Sequence, residues 1–206
     1  MGVIVERSAV ASSDGDMTSK ERRNMQRVYV VPHNPGWVEE FARESVRVAS
    51  TLGTLMVEIL HIGSTAISGI HAKPVIDMLA SVTTIEAVDA RRKEFECLGY
   101  EVMGEFGIPG RRYFRKDNRD GDRTHQIHIF QSGSPHIGRH LAFRDFMRAH
   151  PQYALQYEVL KQQLAAMYPN DIDSYAKGKD AFILEMDAKA ATWKANRSHV
   201  DVEKSG

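Results

Sequence analysis

The stretch HIGSTAISGIHAKPVID, residues 61–77, decides the fold of this chain. It joins two apolar runs, MVEILHI at 56–62 and VIDMLASV at 75–82, each of which predicts a buried strand. Between them, Gly63 and Gly69 permit backbone conformations that other residues rarely adopt, and they let a ligand approach the main chain closely. The pattern therefore predicts a strand, a glycine-containing loop and a second strand.

The side chains around this loop suit a phosphorylated ligand. Ser64 and Thr65 offer hydroxyls, and Lys73 offers a positive charge beside the amides that Gly63 leaves accessible. Asp77, two residues into the second strand, can direct a carboxylate at a divalent metal ion. A Gly-Ser pair is equally compatible with a plain tight turn, so the residues alone leave both interpretations open. The Gly-Lys-Ser/Thr of a Walker loop is absent from the sequence.

Outward from this loop, apolar periodicity predicts an α+β fold. Helices and strands alternate, antiparallel strands follow, and the chain ends in helices, an order that disfavours a doubly wound sheet. The predicted helices span 37–52, 83–98, 140–149, 152–167 and 171–194, and the further strands span 100–103, 112–116 and 125–130.

The segments group into one domain with two flanking pieces. Residues 1–26 are rich in serine and charge and are expected to form a disordered arm. Residues 27–195 are expected to form the domain, and residues 196–206 a polar tail. Within the domain, an α/β part at 27–133 precedes a helical part at 134–195.

The composition excludes several classes of protein. Apolar residues make up 42% and charged residues 26%, which excludes a low-complexity chain. The 27 basic residues balance 27 acidic ones, so no net field favours nucleic acid or anionic lipid. The single Cys97 cannot form an internal disulfide, and no apolar run approaches the ~20 residues of a membrane helix. We expect a cytoplasmic protein with a small-molecule ligand, without a membrane segment; nucleic acid is disfavoured as a partner.

The strand HQIHIF, residues 125–130, contains a candidate metal-binding or catalytic histidine. Alternation places Ile127 and Ile129 toward the core and His128 toward the open face. His128 can bind metal beside Asp77 or act as a general base near neutral pH. A lone histidine in a strand is more often a structural hydrogen-bonding residue, and this alternative stays open.

Basic residues elsewhere supply further candidates for phosphate binding. Arg112 and Lys116 lie four apart in one strand and are expected to share a face, with Arg115 on the opposite face. Lys161 and Lys179 lie on the later helices, and any of these residues can reach a triphosphate. Solvated surface charge is the alternative for all of them.

A family resemblance now emerges. Gly63 and Ser64, followed after twelve residues by Asp77 in an apolar strand, resemble the signature of the polymerase-beta-like nucleotidyltransferase superfamily. More narrowly, HIGSTAISGIHAKPVIDM is similar to the corresponding run of the GrpB family, a bacterial branch of that superfamily. The segments YVVPHNPGWVEEF, RRYFRK, THQIHIF and LAFRDFMRAHP follow in order and extend the resemblance over about residues 28–190.

The resemblance implies a nucleotidyltransferase-like mixed sheet with flanking helices and a C-terminal helical segment. It implies that Gly63 and Ser64 grip nucleotide phosphates and that Asp77 is the first metal carboxylate, with Mg²⁺ or Mn²⁺ as cofactor. Asp77 and His128 would then be the catalytic pair. The reaction implied is metal-dependent nucleotidyl or phosphoryl transfer to an unknown acceptor.

Two departures from the superfamily pattern favour a different function. The second carboxylate is expected at position 79, which is Leu79, and Gln126 replaces the first histidine of a His-x-His pair found in the family. The alternative is a catalytically inactive binding or regulatory module of the same fold. Because GrpB-like domains occur fused to a dephospho-coenzyme A kinase, a further alternative is an accessory domain linked to coenzyme A metabolism.

Overall fold

A computed structural model describes residues 27–203, and the predicted arm at 1–26 lies outside these residues. Short 3₁₀ turns connect several of the elements. The helices are α1 Gly36–Leu52, α2 Arg92–Cys97, α3 Pro135–Ala149, α4 Pro151–Met167, α5 Ile172–Gly178 and α6 Asp180–Glu203. The strands are β1 Met56–Ile62, β2 Ile76–Val82, β3 Glu101–Val102, β4 Arg111–Asp117 and β5 Arg123–Gln131.

The five strands form one mixed sheet in the order β1-β2-β5-β4-β3. The central pair, β2 and β5, is parallel, and the other pairs are antiparallel. In register, Asp77 on β2 lies beside Gln126 on β5, which lies beside Arg115 on β4. The three side chains therefore share one face of the sheet, which we call the cavity face.

The opposite face, which we call the core face, packs against α1 and α2. Met78 and Ile127 are fully buried there, together with Phe114 of β4 and Phe95 of α2. The rings of Phe95 and Phe114 stack with centroids 4.1 Å apart. Burial of these apolar side chains holds the two helices on the sheet, since each contributes roughly 1.5–3 kcal/mol.

The C-terminal helices cover part of the cavity face and are tied to the loop between β1 and β2. Ile67 and Ile70 of that loop pack with Phe146 and Met147 of α3, alongside residues of α4 and α6. Arg144 and Arg148 of α3 donate hydrogen bonds to the carbonyls of His61 and Ala66, at 3.0 and 2.8 Å. The helical part is thereby fixed against the Gly-Ser loop.

The α+β class with a mixed sheet and flanking helices is confirmed, and several element boundaries differ from the predictions. In place of a helix at 83–98, a 3₁₀ segment Glu86–Arg91 precedes the short α2. The helix predicted at 171–194 is two helices, and the second continues through Glu203 where a polar tail was predicted. Helix α3 begins earlier than predicted because Pro135 occupies its first turn, where a missing N–H costs nothing. None of the helices within residues 27–203 is long and apolar enough to cross a membrane.

Candidate functional site

The Gly-Ser loop and the start of β2 meet in an unusually close contact. Gly63 follows β1 with φ +71°, in the left-handed region that favours glycine. A Cβ added to Gly63 would lie 2.8 Å from Cγ of Asp77 and would overlap Oδ2. The absence of a side chain at Gly63 is therefore what allows the Asp77 carboxylate to sit against the turn.

A buried hydrogen-bond chain stabilises the loop beneath this contact. The Thr65 hydroxyl donates to the carbonyl of Val75 at 2.9 Å, and Nε2 of His61 lies 3.0 Å from the same hydroxyl oxygen. Because the hydroxyl proton is already used, His61 donates from Nε2. Burial and the nearby Arg148 and Arg144 lower the pKa of His61 to about 4, which keeps the ring neutral.

The Gly63–Asp77 corner opens into a cavity of about 290 Å³ between the cavity face and helices α4 and α5. This volume is close to the lower end of ligand sites, which span roughly 300–1,000 Å³. The cavity is lined by the Gly-Ser turn, the loops before β2 and β4, the strands β2, β4 and β5, and residues of the later helices. Its lining residues are Gly63, Ser64, Lys73, Val75, Asp77, Phe106, Tyr113, Arg115, Arg123, Gln126, Tyr157, Lys161, Ile172, Asp173, Tyr175, Ala176 and Lys179.

Basic side chains outnumber acidic ones in this lining, with three lysines and two arginines against Asp77 and Asp173. The two arginines have carboxylate partners: Arg115 bonds Glu101 at 2.5 Å, and Arg123 bonds Asp117. The three lysines, at positions 73, 161 and 179, then exceed the two lining carboxylates of Asp77 and Asp173 by one charge. This arrangement suits an anionic ligand.

Burial weakens the protonated state of these lysines. It lowers the pKa of Lys73 to about 8 and that of Lys161 to about 7, and neighbouring cations add to both shifts. The pKa of Lys179 is lowered for the same reason. Lys161 donates to the carbonyl of His71 at 2.5 Å and lies 4.6 Å from the Tyr157 ring centroid. A bound anion would restore favourable surroundings for all three charges.

Asp77 is the acidic group at the centre of this cluster. Although it lines the cavity, protein atoms surround its carboxylate, and this burial raises its pKa to about 7. The nearby Lys179, Lys73 and Arg123 act in the opposite direction and favour the carboxylate form. A carboxyl group with a pKa near neutrality can accept or donate a proton at physiological pH.

The structure places the predicted phosphate ligands in different surroundings. Gly63, Ser64 and Lys73 line the cavity, and the Ser64 hydroxyl is hydrogen-bonded to Tyr157. Thr65 is 1% exposed, and its hydroxyl stabilises the loop through the hydrogen bond to the carbonyl of Val75.

Arg112 and Lys116 do share a face, as predicted, but it is the core face. Arg112 bonds both oxygens of Asp89, at 2.6 and 2.8 Å, and Lys116 bonds Glu44 at 2.9 Å. The structure therefore does not bring these two residues together with Gly63.

His128 lies on the cavity face, as predicted, one row of the sheet beyond Asp77. Its register partners are Leu79 and Tyr113, whereas Asp77 pairs with Gln126. Nδ1 of His128 lies 3.2 Å from Nη1 of Arg111 and the ring is 5.3 Å from that of His140. Burial lowers the pKa of His128 well below its usual range. His128 is therefore a neutral ring packed with Arg111 and His140 beside the cavity, and it is not among the cavity's lining residues.

These donors do not fit a metal ion held by the protein alone. Among residues 27–203, no group of three or more His, Cys, Asp or Glu side chains is placed to hold a metal. Asp77 faces lysines, and His128 faces Arg111. The predicted pairing of Asp77 with His128 around Mg²⁺ or Mn²⁺ stays a prediction.

Three basic lining residues, Arg115, Lys161 and Lys179, are ones for which the sequence equally allowed solvated surface charge. Arg115 lies on the face opposite Arg112, as predicted, and lines the cavity, whereas Arg112 and Lys116 lie on the core face. The alternation of side chains along strands could have placed Arg115 at the cavity. Arg115 and Asp77 share a face if both residues lie beside Gln126 in the sheet. Nothing local to Lys161 or Lys179 indicates the cavity, because helix packing brings them to it.

Comparison with known proteins identifies relatives over most of the chain. The model of the GrpB protein family matches residues 27–189, which confirms the resemblance drawn from the motifs. A GrpB structure from Enterococcus faecalis aligns with a TM-score of 0.77 at 44% identity, covering 81% of this chain and 99% of that one.

Two curated relatives are longer proteins. The UPF0157 protein YqkA of Bacillus subtilis is 43% identical over 176 residues, covering 85% of this chain and 51% of YqkA. The dephospho-CoA kinase of Mycolicibacterium paratuberculosis is 25% identical over 189 residues, covering 80% of this chain and 46% of the kinase. This chain thus spans about half the length of each of these two relatives.

Proposed function

We propose that this chain, which belongs to the GrpB family, binds a phosphorylated small molecule in the cavity between the Gly63–Ser64 turn and helices α4 and α5. The observation that carries the proposal is the convergence of Lys73, Lys161 and Lys179 on this one cavity. Their lowered pKa values mean that burial disfavours the positive charge of these lysines, which phosphate oxygens would neutralise.

The turn supplies a second element of the phosphate site. Gly63 leaves the main chain open to a close approach, and Ser64 adds a hydroxyl at the cavity wall. Exposed amides next to lysine side chains are a recurring way of holding phosphate oxygens. A nucleoside triphosphate fits this proposal, as does another phosphorylated metabolite such as a coenzyme A precursor.

Isothermal titration calorimetry tests the proposal. The ligands are the four nucleoside triphosphates, inorganic tripolyphosphate and phosphopantetheine, each with and without Mg²⁺. We expect Lys73→Met and Lys179→Met to weaken the binding of at least one of these ligands about 10- to 100-fold, the scale of one charge-assisted hydrogen bond. The matched control is Lys177→Met, two residues from Lys179 on an exposed part of α5. Wild-type affinity in both cavity variants would contradict the proposal.

Nucleotidyl or phosphoryl transfer is the finer proposal, and Asp77 supports it. The carboxylate sits against the phosphate turn, and its pKa near 7 suits proton transfer from an acceptor hydroxyl. Mg²⁺ or Mn²⁺ would arrive with the nucleotide, since the described side chains alone do not provide a metal site. The competing proposal is a binding or regulatory module, favoured by Leu79 at the position of a second carboxylate.

The variant Asp77→Ala distinguishes the transfer proposal from the proposal of a binding or regulatory module. Loss of metal-dependent ligand binding and of turnover would support transfer. Unchanged ligand affinity, with no effect of Mg²⁺ in either protein, would contradict a metal site at Asp77 and favour the binding module.

A further inference from the structure

The loop between β3 and β4 is held in an unfavourable conformation at the edge of the cavity. Phe106 has φ +44°, and no other non-glycine residue among 27–203 has a positive φ. For a bulky side chain this is a real outlier, and such conformations persist where the surrounding structure imposes them. Gly104, Gly107 and Gly110, also at positive φ, flank Phe106.

Arg111 imposes the conformation. Its guanidinium donates to the carbonyl of Phe106 at 2.7 Å and to that of Glu105 at 3.2 Å. Glu105 in turn accepts from the amide of Gly110 at 2.7 Å, which closes the loop. Arg111 is 5% exposed and also contacts His128, so the loop is anchored to the sheet.

The anchored loop presents an aromatic ring to the cavity. The Phe106 ring stacks on Tyr113, with centroids 5.3 Å apart and planes inclined by 22°. Tyr113 is 6% exposed, whereas Phe106 remains 38% exposed and lines the cavity. Core packing alone does not account for a large apolar residue held in a strained conformation yet left substantially exposed.

The separation between Asp77, which contacts Gly63, and Tyr113, which contacts Phe106, indicates how far apart the two ends of the cavity lie. Asp77, Gln126 and Arg115 form one row across three strands, and Tyr113 lies two residues along β4 from Arg115. Strand spacing and rise put the backbone of Tyr113 about 12 Å from that of Asp77. Phosphates at Gly63 and a ring at Phe106 would therefore occupy opposite ends of the cavity, with room for a sugar between them.

We propose that Phe106 is a stacking platform for an aromatic base, so that the ligand of the cavity is a nucleotide and not a phosphorylated molecule lacking a ring. This inference rests on the proposed phosphate site and adds the ligand class. Stacking on a single aromatic face accepts every base, so Phe106 supplies affinity for nucleotides in general. Arg111 is the positioning residue that orients the platform.

The test compares nucleotides with inorganic tripolyphosphate on one pair of variants. Phe106→Gly removes the ring while suiting the positive φ, so the loop keeps its backbone conformation. Phe106→Tyr keeps a ring. By calorimetry we expect Phe106→Gly to weaken ATP, GTP, CTP and UTP about 5- to 150-fold, the usual range for base stacking, while tripolyphosphate affinity stays unchanged. Phe106→Tyr should bind all four nucleotides as the wild type does, and Leu184→Ala, which removes an exposed apolar side chain on α6, should have no effect.

The outcomes separate this inference from the proposed phosphate site. Tripolyphosphate binding as tightly as ATP in the wild type, or ATP binding to Phe106→Gly with wild-type affinity, would overturn the base platform and leave the phosphate site standing. An equal loss of ATP and tripolyphosphate affinity in Phe106→Gly would also overturn it, because the loop and not the ring would then be responsible. Binding of neither ATP nor tripolyphosphate to the wild type would overturn the phosphate site and the platform together.

Discussion

Two basic residues on the core face of the sheet, Arg112 and Lys116, have different partners from the three lysines of the cavity. On the core face, Lys116 bonds the buried carboxylate of Glu44 and Arg112 bonds Asp89 through two hydrogen bonds. On the cavity side, Lys73 and Lys179 lie near the carboxylate of Asp77, and Lys161 donates to the carbonyl of His71. Neither the residue type nor the position in the sequence distinguishes the basic residues of the core face from the lysines of the cavity. A direct hydrogen bond to a carboxylate, which Arg112 and Lys116 make, is the feature that we expect to mark a charge as stabilising the fold instead of binding a ligand.

The largest loss of stability is expected for a substitution at Gly63, where the Gly-Ser loop contacts Asp77 of β2. Gly63→Ala places a Cβ into the Asp77 carboxylate and forces alanine to φ +71°. We expect a loss of roughly 2–6 kcal/mol in the free energy of unfolding, the sum of overpacking and backbone strain. Urea denaturation measures it.

Gly69→Ala is the matched control for this substitution. Gly69 has φ +81° in the same loop, but an added Cβ would meet nothing within 4 Å. Only the strain of the left-handed conformation remains, about 1–2 kcal/mol. Equal losses at the two glycines would show that the contact between Gly63 and Asp77 contributes nothing to the requirement for glycine.

A change of stability of intermediate size is expected from the titration of Lys161 in the cavity. The pKa of Lys161 is about 7 in the fold and 10.5 as its ordinary value. Folding therefore favours the neutral amine of Lys161. The contribution of this neutral amine to the free energy of unfolding is fully present above pH 10.5 and is lost as the pH falls toward 7. The whole loss is on the order of a few kcal/mol.

Lys161→Met removes this titration while retaining an apolar stem of similar length. The difference in unfolding free energy between wild type and Lys161→Met should rise in favour of the wild type from about pH 7 to about pH 10. Lys177→Met, on an exposed part of α5, should show a constant difference over the same range. A constant difference for Lys161→Met as well would contradict a burial-depressed lysine in the cavity.

These predictions concern residues that the sequence revealed to different degrees. The segment 61–77 was sufficient to predict β1, the loop, β2 and the place of Asp77, because strands and turns are encoded by neighbouring residues. His128 was correctly assigned to the open face by alternation. Its contact with Arg111 was not predictable, since it depends on the register of β4 against β5, in which Arg111 lies opposite Phe130 and reaches back to His128.

The remaining cavity residues depend on packing between distant segments. Lys161 reaches the site because α4 lies against the loop, where its Nζ donates to the carbonyl of His71, 90 residues away in sequence. The positive φ of Phe106 follows from Arg111 binding its carbonyl, which no local pattern indicates. Sequence thus predicts the turn of the site well, and the surrounding walls poorly.

The smallest change in unfolding free energy is expected when one lysine of the core face and one lysine of the cavity are each replaced by methionine. Lys116→Met removes a donor from Glu44, which keeps only its bonds with Tyr100 and Arg47 in a buried setting. We expect a loss of about 1–2 kcal/mol. Lys179→Met removes a charge whose pKa burial already lowers, so stability without ligand should stay within about 0.5 kcal/mol or rise.

Both substitutions remove one charge and leave similar apolar stems, so side-chain length and net charge cancel in the comparison. Urea denaturation of the ligand-free proteins at pH 7 measures the difference. Adding a ligand that binds the wild type should then stabilise Lys116→Met as much as the wild type, and Lys179→Met less. Equal losses of stability in the two variants would mean that the lysine on the cavity side is as well partnered as the one on the core face, and the distinction between structural and ligand-directed charge would fail.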